Sequence, residues 1–313
     1  MIKKRLRGDS VKERLRAAAR DRIYRFVMAD GTVRGAILHG TRMINEMRAN
    51  HELGILETLA LGHGYLAAGL LTASLKGQDR IALQIECSGP IRGMEVEANA
   101  YGEVRGHLKR VPIPVDSPPE SFNLSPFFGA GLLKITKYLE DAKQPFSGQV
   151  AMMYGSIAKD LAHYFLTSEQ IPTAFSLSIQ FDPEGEVIGA GGLTLQVLPG
   201  APNETVVDLE RQVNAMPSIG NALADGASPK DLVQETFGAL APKFLDDPRV
   251  EFMCHCSSAR IQSMLALLPM DDLQEIRENG PFPLEIRCHH CNTPYAVSRD
   301  EIEKIFAMRY PNN

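Results

Sequence analysis

The sequence predicts an α+β fold: a large N-terminal domain of mostly antiparallel strands with packed helices, a helical linker, and a small C-terminal four-cysteine zinc module. Up to residue 198 the chain shows short alternating runs with a few helical stretches between them, a pattern typical of antiparallel sheets with added helices. After residue 198 the strand signals stop and short helical patterns are interrupted by breakers. Four of the five cysteines follow residue 250, as one C-x-C and one C-x-x-C pair.

The strands are predicted from period-two alternation and from the turn residues between the runs. Ala29-Asp30-Gly31 joins the first two runs and is a strong hairpin signal. The predicted strands are, in order, 22–28, 32–39, 80–87, 91–98, 103–110, 131–138, 147–154, 173–182 and 186–198. The proline-rich residues 111–128 are predicted to form a surface loop.

Three helices are predicted in the same domain. Thr41 is expected to cap the first helix, which runs to about Asn50. The second covers 54–75, the most apolar stretch, and ends before Lys76-Gly77, a cation and a glycine of the kind found at helix C-termini. The third runs from 156 to about 168.

Residues 199–249 are predicted to contain no strand and two short helices. The first covers 204–216, and the second begins at Ser228, with Pro229 and Asp231 in its first turn. The residues expected to break helical structure between them are Pro217, Gly220, Gly226 and Ala227. Because helices this short are marginal without packing, the segment is interpreted as a linker of low intrinsic stability. An ordinary helical subdomain is an equally good interpretation.

Residues 250–313 form the predicted C-terminal module. Its predicted elements are a strand at 250–253, a helix from Ser257 or Ser258 to about 268, a helix at 271–278, a hairpin of 284–287 and 295–297, and a last helix opened by a capping box at Ser298 and Glu301. The hairpin tip carries the C-x-x-C pair, so both of its sulfurs can point at one ion.

The four clustered cysteines are the candidate metal ligands. Thiolates are soft ligands, and two close pairs suit a tetrahedral site. We therefore predict that one zinc ion is bound by Cys254, Cys256, Cys288 and Cys291. Four protein ligands leave no position for water or substrate. Metal-catalysed hydrolysis is therefore not expected, and we predict no catalytic residue and no other cofactor.

The zinc site can be a structural staple or a redox switch. Structural zinc contributes folding energy on the order of 10 kcal/mol or more. The start of a helix after Cys256 favours the reactive thiolate, as do the nearby residues His255, Arg260, Arg287, His289 and His290. Each cysteine pair can close a local disulfide, and oxidation would expel the metal. The residues alone leave both roles open and favour the staple.

Composition argues against several other classes of function. The chain has 313 residues, of which 44% are hydrophobic and 23% charged, and a net charge of −5, values typical of soluble globular proteins. No secretory signal is evident, and no apolar run reaches the roughly 20 residues of a membrane span. A cytoplasmic location without a membrane partner is expected. In that reducing compartment, clustered cysteines bind metal or do redox chemistry more often than they form structural disulfides.

Residues 1–20 form a basic extension. Its cations are Lys3, Lys4, Arg5, Arg7, Lys12, Arg14, Arg16 and Arg20. We interpret it as a solvated arm or an amphipathic helix, and we expect no nucleic-acid partner. The alternative is an arm that binds nucleic acid on a zinc-stapled module. A thiol oxidoreductase fits less well, because the C-x-x-C pair does not open a helix after a strand.

The chain resembles the 33-kilodalton heat-shock protein family of redox-regulated chaperones from about residue 21 to 307. In the cysteine module the resemblance rests on Phe252-x-Cys254-x-Cys256-Ser257 and on Cys288-x-x-Cys291 with Tyr295 downstream. In the N-terminal part it rests on Val33-Arg34-Gly35, Leu71-Thr72-Ala73-Ser74-Leu75-Lys76, Gly89-Pro90-Ile91, Ser168-Glu169-Gln170-Ile171-Pro172-Thr173 and Gly191-Gly192-Leu193-Thr194-Leu195.

The resemblance implies an ATP-independent holdase that binds unfolding proteins under oxidative stress. It implies that the reduced, zinc-bound form is inactive and that oxidants convert Cys254–Cys256 and Cys288–Cys291 to disulfides. Zinc is then released, the linker and zinc module unfold, and the activated protein forms a homodimer. The implied regions are an extension at 1–20, a chaperone core at 21–198, a metastable linker at 199–249 and a redox-switch domain at 250–313.

Three features lie outside the resemblance. The basic residues 1–20 have no counterpart in it. His290 stands where many relatives carry an aromatic residue and could act as a substitute ligand. Cys87 matches no ligand of the family and is interpreted as a buried strand cysteine.

Overall fold

The computed structural model describes residues 1–4, 20–115, 117 and 121–309. The chain divides into two units: the described residues of Lys4–Phe252, and Met1–Lys3 together with the described residues from Met253 onward. The predicted α+β class is confirmed by antiparallel sheets with interspersed helices. The interpretation of the basic extension falls mostly on residues 5–19, which lie outside the described residues.

The larger unit contains eleven described strands and seven described α-helices. In chain order they are β1 (Arg22–Met28), β2 (Val33–His39), α1 (Thr41–His51), α2 (Ile55–Leu71), β3 (Arg80–Cys87), β4 (Gly93–Asn99), β5 (Glu103–Leu108), α3 (Ser125–Phe128), β6 (Gly131–Tyr138), β7 (Phe146–Ala151), α4 (Ile157–Tyr164), β8 (Thr173–Phe181), β9 (Val187–Val197), α5 (Asn203–Ala215), α6 (Ile219–Ala224), α7 (Pro229–Phe237), β10 (Lys243–Asp246) and β11 (Glu251–Phe252). Every strand predicted before residue 199 is therefore confirmed, with bounds that move by a few residues.

Two sheets enclose α2. The five-stranded sheet has the order β10-β1-β2-β9-β8, and the six-stranded sheet has the order β11-β5-β4-β3-β6-β7. All pairings are antiparallel except that of β11 with β5. Helix α2 packs against strands of both sheets. Gly64 permits this close approach, because a Cβ there would lie 2.8 Å from the sulfur of Met94 on β4.

The apolar stretch at α2 is a core helix. Among the described residues, Ile55–Ser74 is the one segment long and apolar enough to cross a membrane, but 83% of its most apolar window is buried inside the fold. At its end the α-helix gives way to a 3-10 turn, Thr72–Ser74. The expected cap of α1 was wrong: Gly40 is the N-cap, and the Thr41 hydroxyl accepts a hydrogen bond from the Ala190 N–H.

Two further predictions need correction in detail. The helix predicted over 156–168 is α-helical only to Tyr164 and continues as a π-helical turn, Phe165–Glu169. The loop predicted at 111–128 contains the short helix α3, while residues 116 and 118–120 lie outside the described residues.

The segment 199–249 differs from its prediction in two places. Helix α6 forms where breakers were expected, because the Ser218 hydroxyl caps it and Ile219 is buried against the five-stranded sheet. Strand β10 forms where no strand was expected, because it pairs with β1. In both places tertiary packing overrides weak local signals. The predicted start of α7 is confirmed, since the Ser228 hydroxyl accepts a hydrogen bond from the Asp231 N–H.

Helices α5, α6 and α7 bury one face of the five-stranded sheet. Their apolar residues, which we call the linker cover, are Leu209, Ile219, Leu223, Leu232, Val233 and Phe237. They pack against Phe26, Met28, Val33, Ile37, Leu193 and Leu195 of the sheet. The stability of these short helices therefore comes from their docking on the sheet.

The smaller unit contains α8 (Ser258–Leu265), α9 (Met270–Asn279), β12 (Leu284–Arg287), β13 (Pro294–Val297) and α10 (Arg299–Arg309). Strands β12 and β13 form the predicted hairpin. The predicted capping box is also confirmed: the Glu301 carboxylate accepts from the Ser298 N–H, and the Ser298 hydroxyl accepts from the Glu301 N–H. A small apolar core joins these elements: Ile261, Leu265, Leu273, Val297, Ile302, Ile305 and Phe306.

Candidate metal centre

The four cysteines of the smaller unit converge on one point. The sulfurs of Cys254, Cys256, Cys288 and Cys291 all lie within 4.8 Å of one another. The Cys254 and Cys288 sulfurs are 3.8 Å apart, and those of Cys256 and Cys291 are 3.3 Å apart. Tetrahedral zinc with Zn–S bonds near 2.3 Å would place its sulfurs about 3.8 Å apart. The four thiols therefore fit a single tetrahedral ion.

The local backbone structure orients the four cysteine side chains. Cys254 and Cys256 lie in a segment without regular secondary structure that precedes α8. The C-x-x-C pair sits on a tight turn in which the Cys288 carbonyl accepts from the N–H groups of Cys291 and Asn292, at 3.3 and 2.7 Å. Asn292 takes a left-handed conformation with φ of 53°, which asparagine tolerates better than most residues. The turn brings both sulfurs of the pair to one side.

Without a cation, the close approach of the four thiols opposes their ionisation. The hydrogen bond with Cys254 raises the pKa of Cys288 to about 11, and burial adds to the effect. Hydrogen bonds with Cys254 and Cys288, together with burial, raise the pKa of Cys291 as well. A divalent ion would reverse this balance, because it stabilises thiolates directly. The chemistry of the donor set thus fits a soft metal ion.

The expectation that flanking cations would favour thiolates was wrong for these two cysteines, since both pKa values are raised. Arg260 and Arg287 are exposed and are not among the causes of either shift. The largest cause of both raised pKa values is hydrogen bonding between the thiols.

Two polar side chains contact the cysteine sulfurs, and the first two residues of the chain contact Cys256 and Thr293. The Tyr295 hydroxyl donates to the Cys256 sulfur at 3.0 Å, and the Thr293 hydroxyl lies 3.2 Å from the Cys291 sulfur. The Met1 nitrogen donates to the Cys256 carbonyl at 2.8 Å, and the Ile2 N–H donates to the Thr293 hydroxyl at 3.3 Å. Sequence reasoning missed Met1 and Ile2, because nothing local marks contacts across 255 and 291 positions. It also missed Thr293, although that residue lies only two positions after Cys291.

Other residues singled out in the sequence lie elsewhere. His255 and His289 are exposed. Among the described residues, the group of ligand atoms within 4.8 Å consists of the four cysteines, so His290 does not belong to it. Cys87 ends β3 in the larger unit and is half-buried, and burial raises its pKa. None of the five cysteines, all of which are described, is in a disulfide.

Replacing Thr293 by valine is expected to weaken the metal centre. Valine keeps the side-chain volume but removes the buried hydroxyl that contacts the Cys291 sulfur and the Ile2 backbone. Loss of such a hydrogen bond costs about 1–2 kcal/mol, so a bound metal ion should pass to a competing chelator about tenfold more readily. The serine variant keeps the hydroxyl and should behave like the wild type. Equal metal retention by the valine and serine variants would contradict the role given to the hydroxyl.

Comparison with known proteins agrees with this geometry. A family model described as Hsp33 protein matches residues 21–298. The 33 kDa chaperonin of Desulforamulus reducens is 36% identical over 287 residues, covering 91% of this chain and 97% of the relative. That of Ruminiclostridium cellulolyticum is 34% identical, with 91% and 97% covered. The solved structure of the Thermotoga maritima 33 kDa chaperonin superimposes with a TM-score of 0.85 at 31% identity, covering 94% of this chain and 100% of that one.

These matches span nearly the whole chain and include the segment that carries the four cysteines. They confirm the resemblance drawn from the sequence motifs. The chain therefore belongs to the Hsp33 family of redox-regulated chaperones, which hold unfolding proteins and are not enzymes.

Proposed function

We propose that this chain is an ATP-independent holdase that a zinc-thiolate switch keeps inactive in the reduced state. The observation that carries the proposal is the convergence of four thiols, whose sulfurs all lie within 4.8 Å of one another. Family membership supplies the chaperone activity and the unfolded client proteins. The chaperone is proposed to act in the cytoplasm.

Zinc is the proposed ion, and Cys254, Cys256, Cys288 and Cys291 are its proposed ligands. Four sulfur donors suit zinc, and with all four positions filled the ion would be structural. When bound, it would hold the cysteines as thiolates and contribute binding energy to the fold of the module. The smaller unit has only a modest apolar core of its own, which supports a stabilising role for the metal.

The proposed trigger is oxidation to two disulfides, Cys254–Cys256 and Cys288–Cys291. Each disulfide forms when peroxide takes two electrons and two protons from a pair of thiols and becomes two water molecules. The closest sulfurs in the folded module belong to different pairs, Cys254 with Cys288 and Cys256 with Cys291. The proposed pairing therefore rests on the family resemblance, and on the fact that partners close in sequence stay close once the module loosens.

The linker is the proposed moving part, with its bounds at 199–249. Its helices are short, and the linker cover accounts for their burial. Release of the linker would expose apolar residues both on its helices and on the five-stranded sheet, and these surfaces are proposed to bind clients. The activated protein is proposed to form a homodimer.

Peroxide treatment tests this function. The zinc-loaded, reduced full chain is treated with peroxide at a mildly unfolding temperature, and zinc release, free thiols and suppression of client aggregation are followed together. We expect loss of four thiols and one zinc ion per chain, with a parallel gain in antiaggregation activity. Retention of zinc without any gain in antiaggregation activity would contradict the proposal. Disulfide mapping by mass spectrometry tests the pairing separately.

A further inference from the structure

A cavity of about 420 Å³ lies beside the five-stranded sheet, within the size range of small-molecule sites. Its sheet residues include Arg25, Arg34, Ala36, Thr194 and Gln196. These alternate along the strands with the residues that pack against the linker cover. Because neighbouring residues of a strand face opposite sides, the cavity lies on the face opposite the linker cover.

Most of the cavity wall is apolar. Leu70 and Leu71 come from the end of α2, Phe165 from the π-helical turn and Phe175 from β8. Leu245 of β10 adds a further apolar side chain. A wall of this kind accepts an aliphatic or aromatic group and excludes water from it.

One polar group in the wall lacks a partner. Thr194 is only 9% exposed, and its hydroxyl makes no hydrogen bond among the described residues. Buried hydroxyls are nearly always paired, so an isolated one in a cavity wall suits a ligand oxygen. Thr194 pairs with Ala36 across the strands, and Arg34 pairs with Gln196. Arg34 and Thr194 are therefore diagonal neighbours on this face, within reach of one headgroup.

The charges beside the cavity sum to one positive charge. Arg25 forms an ion pair with Asp246. The Nε of Arg34 donates to the neutral side-chain oxygen of Gln196 at 2.5 Å, and no salt bridge to Arg34 occurs among the described residues. A guanidinium carries five N–H donors in a fork that matches a carboxylate. Arg34 thus has donors left for a monoanionic headgroup.

We propose that this cavity binds a small amphiphile with a carboxylate headgroup and an apolar chain, such as a medium-chain fatty acid. The apolar chain of the ligand packs against the apolar wall. The ligand carboxylate accepts hydrogen bonds from Arg34 and from the Thr194 hydroxyl. The proposed site uses none of the cysteines.

The site also has a consequence for the linker. Leu245 and Asp246 belong to β10, so part of the wall exists only while β10 is paired with β1. A ligand that contacts this part of the wall therefore shifts the equilibrium towards the state in which β10 is paired with β1. By linkage, pairing of β10 raises the affinity for the ligand by the same factor. Bound carboxylate should therefore slow proteolysis within 199–249.

Decanoate is the probe for the test, added below its micelle concentration to the reduced, zinc-loaded full chain. Binding is followed by calorimetry and by methyl chemical shifts of the wall residues. We expect saturable binding of one decanoate per chain, at least tenfold weaker binding to Arg34→Gln, and tenfold weaker binding of decanol to the wild type. Arg110→Gln, at another exposed arginine, is the matched control and should bind like the wild type.

Ala36→Leu fills the cavity and should abolish binding, provided that circular dichroism shows the variant folded. Absence of saturable binding to the wild type would overturn the proposal. So would unchanged affinity in Arg34→Gln together with shifts at residues outside the cavity. Equal binding of decanol and decanoate would overturn the assignment of a carboxylate headgroup.

Discussion

Replacing Cys291 by serine is expected to remove zinc from the reduced protein and to unfold the residues from Met253 onward. Cys291 is fully buried, and its sulfur lies within 4.8 Å of the other three. Structural zinc contributes about 10–16 kcal/mol to the folding of such small modules. Zinc content per chain, by elemental analysis, should fall from about one to near zero, and amide hydrogens in β12 and β13 should exchange rapidly.

Cys87→Ser provides the matched control, because this half-buried cysteine lies in the larger unit. It should leave zinc content and exchange in β12 and β13 unchanged. The strands of the larger unit should stay protected in both variants. A Cys291→Ser protein that kept one zinc ion per chain and a protected hairpin would contradict the assignment of Cys291 as a ligand.

Replacing Phe237 by alanine is expected to release the linker while zinc stays bound. Phe237 is 0% exposed and belongs to the linker cover. Truncating a buried phenylalanine costs about 3–5 kcal/mol, and helices as short as α5–α7 have little stability to spare without docking. Limited proteolysis should cut within 199–249 in the reduced protein, and client aggregation should be suppressed without any oxidant.

The matched control is Val207→Ala, on the same linker but 63% exposed. This variant should resist cleavage like the wild type and stay inactive until oxidised. Rapid cleavage of the Phe237→Ala linker without any gain in activity would separate linker release from client binding. It would thereby refute the proposed moving part.

The sequence predicted the fold where local chemistry decides the structure. The Asp30-Gly31 turn, the cap at Ser228 and the capping box at Ser298 and Glu301 each act within a few residues, and all three are present. The cysteine cluster was predictable for the same reason: each pair is local, so only the meeting of the two pairs needed tertiary structure.

The larger failures involve partners distant in sequence. Strand β10 owes its structure to β1, more than 200 residues earlier, and α6 is helical because Ile219 is buried on the sheet. The contact of Ile2 with Thr293 and the cavity beside Thr194 have no local signature either. Local patterns carry no information about such contacts, because their energy appears only when the distant elements meet.

The pairing of β10 with β1 has a consequence beyond the burial of apolar surface. While Lys243–Asp246 is in place, it covers the outer hydrogen-bonding groups of β1. If the segment departs, β1 becomes an open sheet edge with a row of unpaired N–H and C=O groups, which is a template for another extended chain. A released linker would thus offer an unfolding client backbone hydrogen bonds that do not depend on its sequence, beside the exposed apolar face.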